Sequence, residues 1–152
     1  MATGNSIVNS GLSRHSRSIR KVMCFGTFDN LHPGHLSYLS QARGYGDYLI
    51  VVVARDVNAG KLKGRLPRQN EKLRLGKVKN LSFVDKAVLG QLHDKFGIIK
   101  KHKPSVICLG YDQIVDTREL EKVFSGEIIR LKPYKEHVYK SSKLSKIKPR
   151  TF

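Results

Sequence analysis

Val22-Met23-Cys24-Phe25-Gly26-Thr27-Phe28-Asp29-Asn30-Leu31-His32-Pro33-Gly34-His35 is the stretch from which the rest of this chain can be read. An apolar run ends at a glycine, and the turn after it carries one carboxylate. Two histidines three residues apart then open a helical pattern, Leu36-Ser37-Tyr38-Leu39-Ser40-Gln41-Ala42-Arg43. Strand, tight turn and helix start, in that order, aim backbone N–H groups and the positive end of a helix at one point, which suits an anion. Gly26 is expected to end the strand where a side chain would block a phosphate approaching the backbone. Thr27 and Phe28 would offer N–H groups there, and Asp29 a carboxylate that orders the turn or holds a metal-bound water. His32 and His35, on either side of Gly34, would aim ring nitrogens at the same place. Alone, such a pair also reads as two surface histidines or part of a metal site. Zinc is disfavoured: no nearby Cys or Glu completes four ligands, and this spacing across Pro33-Gly34 is not a helical ligand pair.

Outward from this stretch, short apolar runs alternate with helical patterns. Strands are expected at 21–26, 47–54, 83–89, 105–109 and 127–131. The second, Tyr48 to Ala54, is apolar throughout, as in a strand buried on both faces. Helices are expected at 33–44, with Pro33 at its start, and from an Asn70 N-cap to Leu81, with Leu73, Val78 and Leu81 on the buried side. Two more are expected at 91–102 and 116–124, the latter stopped by Gly126, and a final turn at 143–148 capped by Ser141 or Ser142. Residues 55–68 read as a basic, glycine-bearing loop. The pattern predicts an α/β fold, a Rossmann-like open parallel sheet of about five strands with helices on both faces. Ligands of such sheets bind beyond the carboxyl ends of the strands, where strand order reverses.

The 152 residues suit one such domain, and 39% hydrophobic with 27% charged residues is a globular composition. Residues 1–20 read as a disordered basic extension, 21–148 as the folded domain and 149–152 as a tail. No apolar run approaches the roughly 20 residues of a membrane span, and the N-terminus lacks an apolar secretory segment. Cys24 and Cys108 fall in expected buried strands, the pattern of reduced, packed thiols, so the cytoplasm is the expected compartment. The net charge of +17 is spread unevenly. Lys61 to Lys79 holds eight bases and one acid, Glu71. Such a run is either a solvated face or a surface for nucleotide phosphates or RNA. The N-terminal arm is either a passive tail or a nucleic-acid contact.

The string Gly26-Thr27-Phe28-Asp29-x-Leu31-His32-x-Gly34-His35 resembles the phosphate-binding signature of the cytidylyltransferase-like nucleotidyltransferase family. That family includes cytidylyltransferases, pantetheine-phosphate adenylyltransferases and archaeal-type FAD synthases. Leu109-Gly110-Tyr111-Asp112-Gln113 resembles the nucleotide side of the family's cleft. Its Gly-Tyr-Asp-Gln form, like Val53-Ala54-Arg55-Asp56 followed by Lys63-Gly64-Arg65, is similar to the FAD synthases. Lys140-Ser141-Ser142-Lys143-Leu144 resembles a hydroxyl-rich helix start that contacts phosphates. The segment before it, Tyr134 to Lys140, departs from the Arg-Thr-x-Gly of glycerol-phosphate cytidylyltransferases.

The resemblance implies attack by a phosphate oxygen of an acceptor on the α-phosphorus of a nucleoside triphosphate, with pyrophosphate leaving. His32 and His35 would stabilise charge on the transferring group, and Lys63 and Arg74 the triphosphate and leaving group. Gly26, Thr27, Phe28, Asp29, Gly34, Ser141 and Ser142 would cradle phosphates, with Gly110, Tyr111 and Asp112 near the nucleoside. It favours ATP with FMN, giving FAD. The alternative is CTP with glycerol 3-phosphate or ethanolamine or choline phosphate. Mg²⁺ or another divalent cation would accompany the triphosphate, without a dedicated set of metal ligands. A homodimer is common in the family. A reading of another class, supported by the net charge, is a basic RNA-associated module without catalysis.

Overall fold

The computed structural model describes residues 19–133 apart from residue 95. Its elements in chain order are β1 (Lys21–Gly26), α1 (Pro33–Arg43), β2 (Tyr48–Val53), α2 (Asp56–Lys63), α3 (Glu71–Lys79), β3 (Lys86–Leu89), α4 (Gly97–His102), β4 (Val106–Leu109), α5 (Thr117–Val123) and β5 (Glu127–Arg130). The five strands form one sheet in the order β3-β2-β1-β4-β5, every pair parallel. Chain order reverses between β1 and β4, so the expected ligand crevice opens at the carboxyl ends of those two strands.

The period-2 alternation of β1 explains why the sheet is covered on both sides. Val22 and Cys24 join Val51, Val106 and Cys108 on one face, under Leu39 and Ala42 of α1 and Val78 of α3. Met23 joins Ile50, Val52 and Ile107 on the other, under Ile98 and Ile99 of α4 and Leu120 of α5. Both cysteines are buried free thiols, Cys24 opposite Cys108 in the β1–β4 register. Burial pushes the Cys108 thiol up to about 12 and that of Cys24 higher still, so both stay protonated.

Four expectations need correction. The stretch read as a basic loop contains α2, which buries only Ala59 and ends at Gly64 in the left-handed conformation, φ 81°. With one buried residue it lacks the apolar stripe by which helices are found in sequence. The helix expected from residue 91 begins at Gly97, because the Asp94 carboxylate accepts from the Phe96 N–H and turns the chain there. The strand expected from residue 83 begins at Lys86, after Asp85 accepts from the Leu49 N–H. Finally, α5 stops because Phe124 is extended (φ −136°). Gly126 comes two residues later, where a Cβ would collide with the Phe124 ring and the Ser105 carbonyl. The expected turn 143–148 lies outside the described residues.

Candidate active site

The turn after β1 is built from its own residues and from groups far along the chain. Phe28 has φ 55° and its ring is 2% exposed, packed in the α1-side core. A Cβ on Gly26 would lie 2.6 Å from that ring. The packed Phe28 ring therefore requires a glycine at this position whatever binds at the strand end. Asp29 accepts from the N–H groups of Arg68 and Gln69, 2.8 and 2.9 Å away, and so ties the turn to the segment entering α3. Burial alone would raise its carboxyl. The two N–H donors, with the charges of Arg74 and Lys63, overcome this and hold it below the usual carboxylate range.

His32 caps α1. Its Nδ1 accepts from the Gly34 N–H at 3.1 Å, satisfying one of the free donors of the first turn. A Cβ on Gly34 would sit 2.9 Å from the His32 ring, so the glycine between the histidines is what lets the ring fold back. The accepted bond leaves the proton of a neutral His32 on Nε2, as a donor. His35 stacks on His32 with ring centroids 3.8 Å apart and meets the edge of Phe28 at 5.5 Å. Its Nδ1 is sealed from solvent without a partner among the described residues. Burial pulls the His35 ring down to about 3, assisted by His32 and Lys63, and burial lowers His32 as well. The pair is therefore neutral at pH 7, a set of N–H donors at the positive end of a helix.

The two cations matched to the triphosphate part company. Lys63 is exposed at the last position of α2. Arg74 is 0% exposed. Its Nε donates to the Gln69 carbonyl at 2.9 Å, one terminal nitrogen to the Thr27 carbonyl at 2.7 Å, and the other to the Asp56 carboxylate at 2.7 Å. As placed, it is a strut beneath the turn, with all its exposed surface lost and three acceptors within the protein.

Across the crevice, Gly110 follows β4, with Tyr111 and Asp112 exposed beyond it. Gln113 braces this turn: its amide oxygen accepts from the Gly110 N–H at 2.7 Å and its amide nitrogen donates to the Phe25 carbonyl at 3.0 Å. The Tyr38 hydroxyl lies between Phe25, Cys108 and Gln113, joining β1 to β4 where strand order reverses. Arg130 donates to the carbonyls of Gly110 and Gln113. The described residues thus bring Gly26, Thr27, Phe28, Asp29, Gly34, both histidines and Gly110 to one end of the sheet. Ser141 and Ser142 lie outside them.

Sequence reasoning missed Tyr38, Gln113, Arg130 and Asp56 as supports. Asp56 could have been found by asking which carboxylate serves a helix arginine; Tyr38 carries no local signal. Among the described residues no three His, Cys, Asp or Glu side chains are grouped to hold a metal ion.

A parallel sheet with a stacked histidine pair at a helix start beside a glycine turn defines the nucleotidyltransferase type of α/β protein. Residues 23–147 match the cytidylyltransferase-like family, and the chain belongs to it. The chain is 44% identical over 133 residues to an FAD synthase of Methanohalophilus mahii, covering 83% of this chain and 92% of that protein. It is 50% identical over 104 residues to an FAD synthase of Methanothrix thermoacetophila, covering 68% and 71%. A crystal structure described as a lipopolysaccharide core biosynthesis protein from Thermoplasma volcanium superposes with a TM-score of 0.73 at 39% identity. It covers 77% of this chain and 99% of that one.

Proposed function

We propose that this nucleotidyltransferase is an FMN adenylyltransferase: a phosphate oxygen of FMN attacks the α-phosphorus of ATP, FAD forms and pyrophosphate leaves. The observation that carries the reaction type is the neutral His32–His35 pair at the start of α1, beside the Gly26–Asp29 turn. The choice of FMN and ATP is supported by the similarity, over most of their length, to proteins described as FAD synthases.

FMN arrives with its own anionic nucleophile, so the protein needs to position two phosphates and stabilise charge, not supply an attacking group. Nε2–H of His32 is a donor for a non-bridging oxygen whose charge grows in the transition state, and the free N–H groups of α1 add to it. Lys63, exposed and close enough to depress His35 electrostatically, is the cation for the leaving pyrophosphate. Arg74 acts through the turn it holds. Ser141 and Ser142 would complete the phosphate cradle. A divalent cation enters with ATP on the triphosphate's own oxygens. The substrates are small and soluble, and no helix among the described residues is long and apolar enough to cross a membrane. A cytoplasmic enzyme is the reading we favour.

Pyrophosphate release by the purified protein with Mg²⁺, crossing ATP and CTP with FMN and glycerol 3-phosphate, tests this. Turnover is expected only with ATP plus FMN, with FAD as product. Turnover only with CTP plus the polyol phosphate would sink it, and silence in every combination would point to the basic binding module.

A further inference from the structure

The ladder between β1 and β4 is shorter than either strand. It runs from Val22–Val106 to Cys24–Cys108 and ends there. Beyond that rung each strand stays paired with its outer neighbour, β1 with β2 through Gly26–Val53 and β4 with β5 through Leu109–Arg130. The two strands therefore part before either has run out of sheet. In a parallel ladder of this register the next bond would pass from the Gly110 N–H to the Phe25 carbonyl. A side chain stands in its place. The Gly110 N–H donates to Oε1 of Gln113 at 2.7 Å, and Nε2 of the same carboxamide donates to the Phe25 carbonyl at 3.0 Å. One main-chain bond of about 2.9 Å has become two bonds in series, with an amide between them.

The amide is held from both sides. The Tyr38 hydroxyl of α1 lies 3.3 Å from Oε1 and 3.0 Å from the Phe25 carbonyl. The Gln113 backbone is fixed to its own turn, its N–H donating to the Gly110 carbonyl at 3.2 Å and its carbonyl accepting from Arg130. A Cβ on Gly110 would lie 3.3 Å from Cγ of Gln113, so the glycine leaves room for the side chain to fold back over it. A carboxamide suits the gap because it offers an acceptor to the N–H and a donor to the carbonyl, as a peptide group does. A carboxylate satisfies only the first. An aliphatic chain satisfies neither and leaves the strands free to close the bond they now lack.

Phe25 leads directly into the Gly26–Asp29 turn, and Gly110 opens the turn that carries Tyr111 and Asp112. Whatever separates Phe25 from Gly110 sets the distance between those turns. We propose that Gln113 is a positioning residue. Its amide wedges the ends of β1 and β4 apart at the base of the crevice, and so fixes the spacing at which the phosphate turn after β1 and the nucleoside side after β4 hold one nucleotide. It touches neither substrate. That spacing brings the α-phosphorus into line with the attacking oxygen, and an error of about 1 Å there costs about 10²-fold in rate. The role rests on the nucleotidyl-transfer reading above.

Two variants separate bridging the strands from bracing one turn. Gln113→Glu keeps the acceptor for Gly110 and loses the donor to Phe25, whereas Gln113→Met removes both. Pyrophosphate release at saturating substrates, an equilibrium titration with ATP and melting curves of the full chain read them. Both variants are expected to lower kcat about 10²-fold well below their melting temperatures, with the Kd for ATP within about threefold of wild type. A residue that only braces its own turn would keep kcat in Gln113→Glu, and that result with native melting would overturn the wedge. A loss confined to ATP affinity would make Gln113 a ligand contact and overturn it equally. If Gln113→Met does not fold, Gln113→Asn takes its place: its amide is one methylene too short to span the gap, and it should lose kcat as Gln113→Glu does. The kcat ratios are read with whichever substrate pair the wild type turns over, so failure of the FMN reading and failure of the wedge stay distinct.

Discussion

Helix α2 and the start of α3 follow one another in the chain and are both basic, yet they use their cations in opposite ways. Lys61, Lys63 and Arg65 stand in solvent on and just beyond α2, where water screens them and a polyanion can reach them. Arg74, one turn into α3, is sealed from water and has three acceptors. A planar guanidinium spreads its donors over three nitrogens of one rigid plane, so it reaches three separated acceptors that the single nitrogen of an ammonium cannot. One basic region is thus left open to solvent, and the other holds the turn after β1 in place. Charge in a sequence does not by itself distinguish a binding surface from a strut.

The sharpest way to break this contrast is Arg74→Met. It leaves the Asp56 carboxylate and two carbonyls without their donor, so a loss of about 3–5 kcal/mol is expected. Chemical denaturation would read it, and Arg74→Lys should recover less than half. Native stability in Arg74→Met with activity lost would make the arginine a ligand contact after all.

Next come His32→Ala and His35→Ala, each expected to lower kcat by about 10²–10³, the scale of losing one charge-stabilising donor. His32→Ala should also lower the melting temperature through the lost cap. Near-normal turnover in both variants removes the proposed roles.

The third test concerns pH. The folded-state value of His35 lies near 3, below its unfolded 6.5. Between these values the unfolded chain binds more protons, so stability is full above about pH 6.5 and falls as the pH drops toward 3. The slope for this one group is at most about 1.4 kcal/mol per pH unit. Asp29, also lowered, acts only below its ordinary value of 3.8, a separate window. Melting curves from pH 7 to 5 should therefore flatten in His35→Gln, and an unchanged slope would contradict the buried neutral ring.

The smallest effect expected is from Lys63→Ala. The KM for ATP should rise about tenfold with the melting temperature almost unmoved, since no hydrogen bond or ion pair among the described residues ends on this side chain and its field at Asp29 and His35 acts through solvent. A fall in stability there would erase the distinction between the two basic regions.

The strands were legible because buried parallel strands are apolar throughout, and the turn after β1 because glycine, carboxylate and histidines have few other uses in that order. The helix face of α3 was half legible. Val78 and Leu81 are packed, whereas Leu73 is 47% exposed. The residue four before Val78 is Arg74, and helix geometry assigns that place to the buried face. Preferring an apolar residue to the correct spacing hid the strut. Gln113 stood in a quoted motif without a role, because nothing local shows that its amide reaches across to Phe25.

Phe28 has a last consequence. Its ring belongs to the hydrophobic interior while its backbone forms the turn after β1, so opening that turn means drawing the ring out of the core. Proteolytic cleavage within residues 27–30 should then follow global unfolding and not loop fraying. Substrates seated there would protect the whole domain by mass action, raising its resistance to heat and proteolysis together.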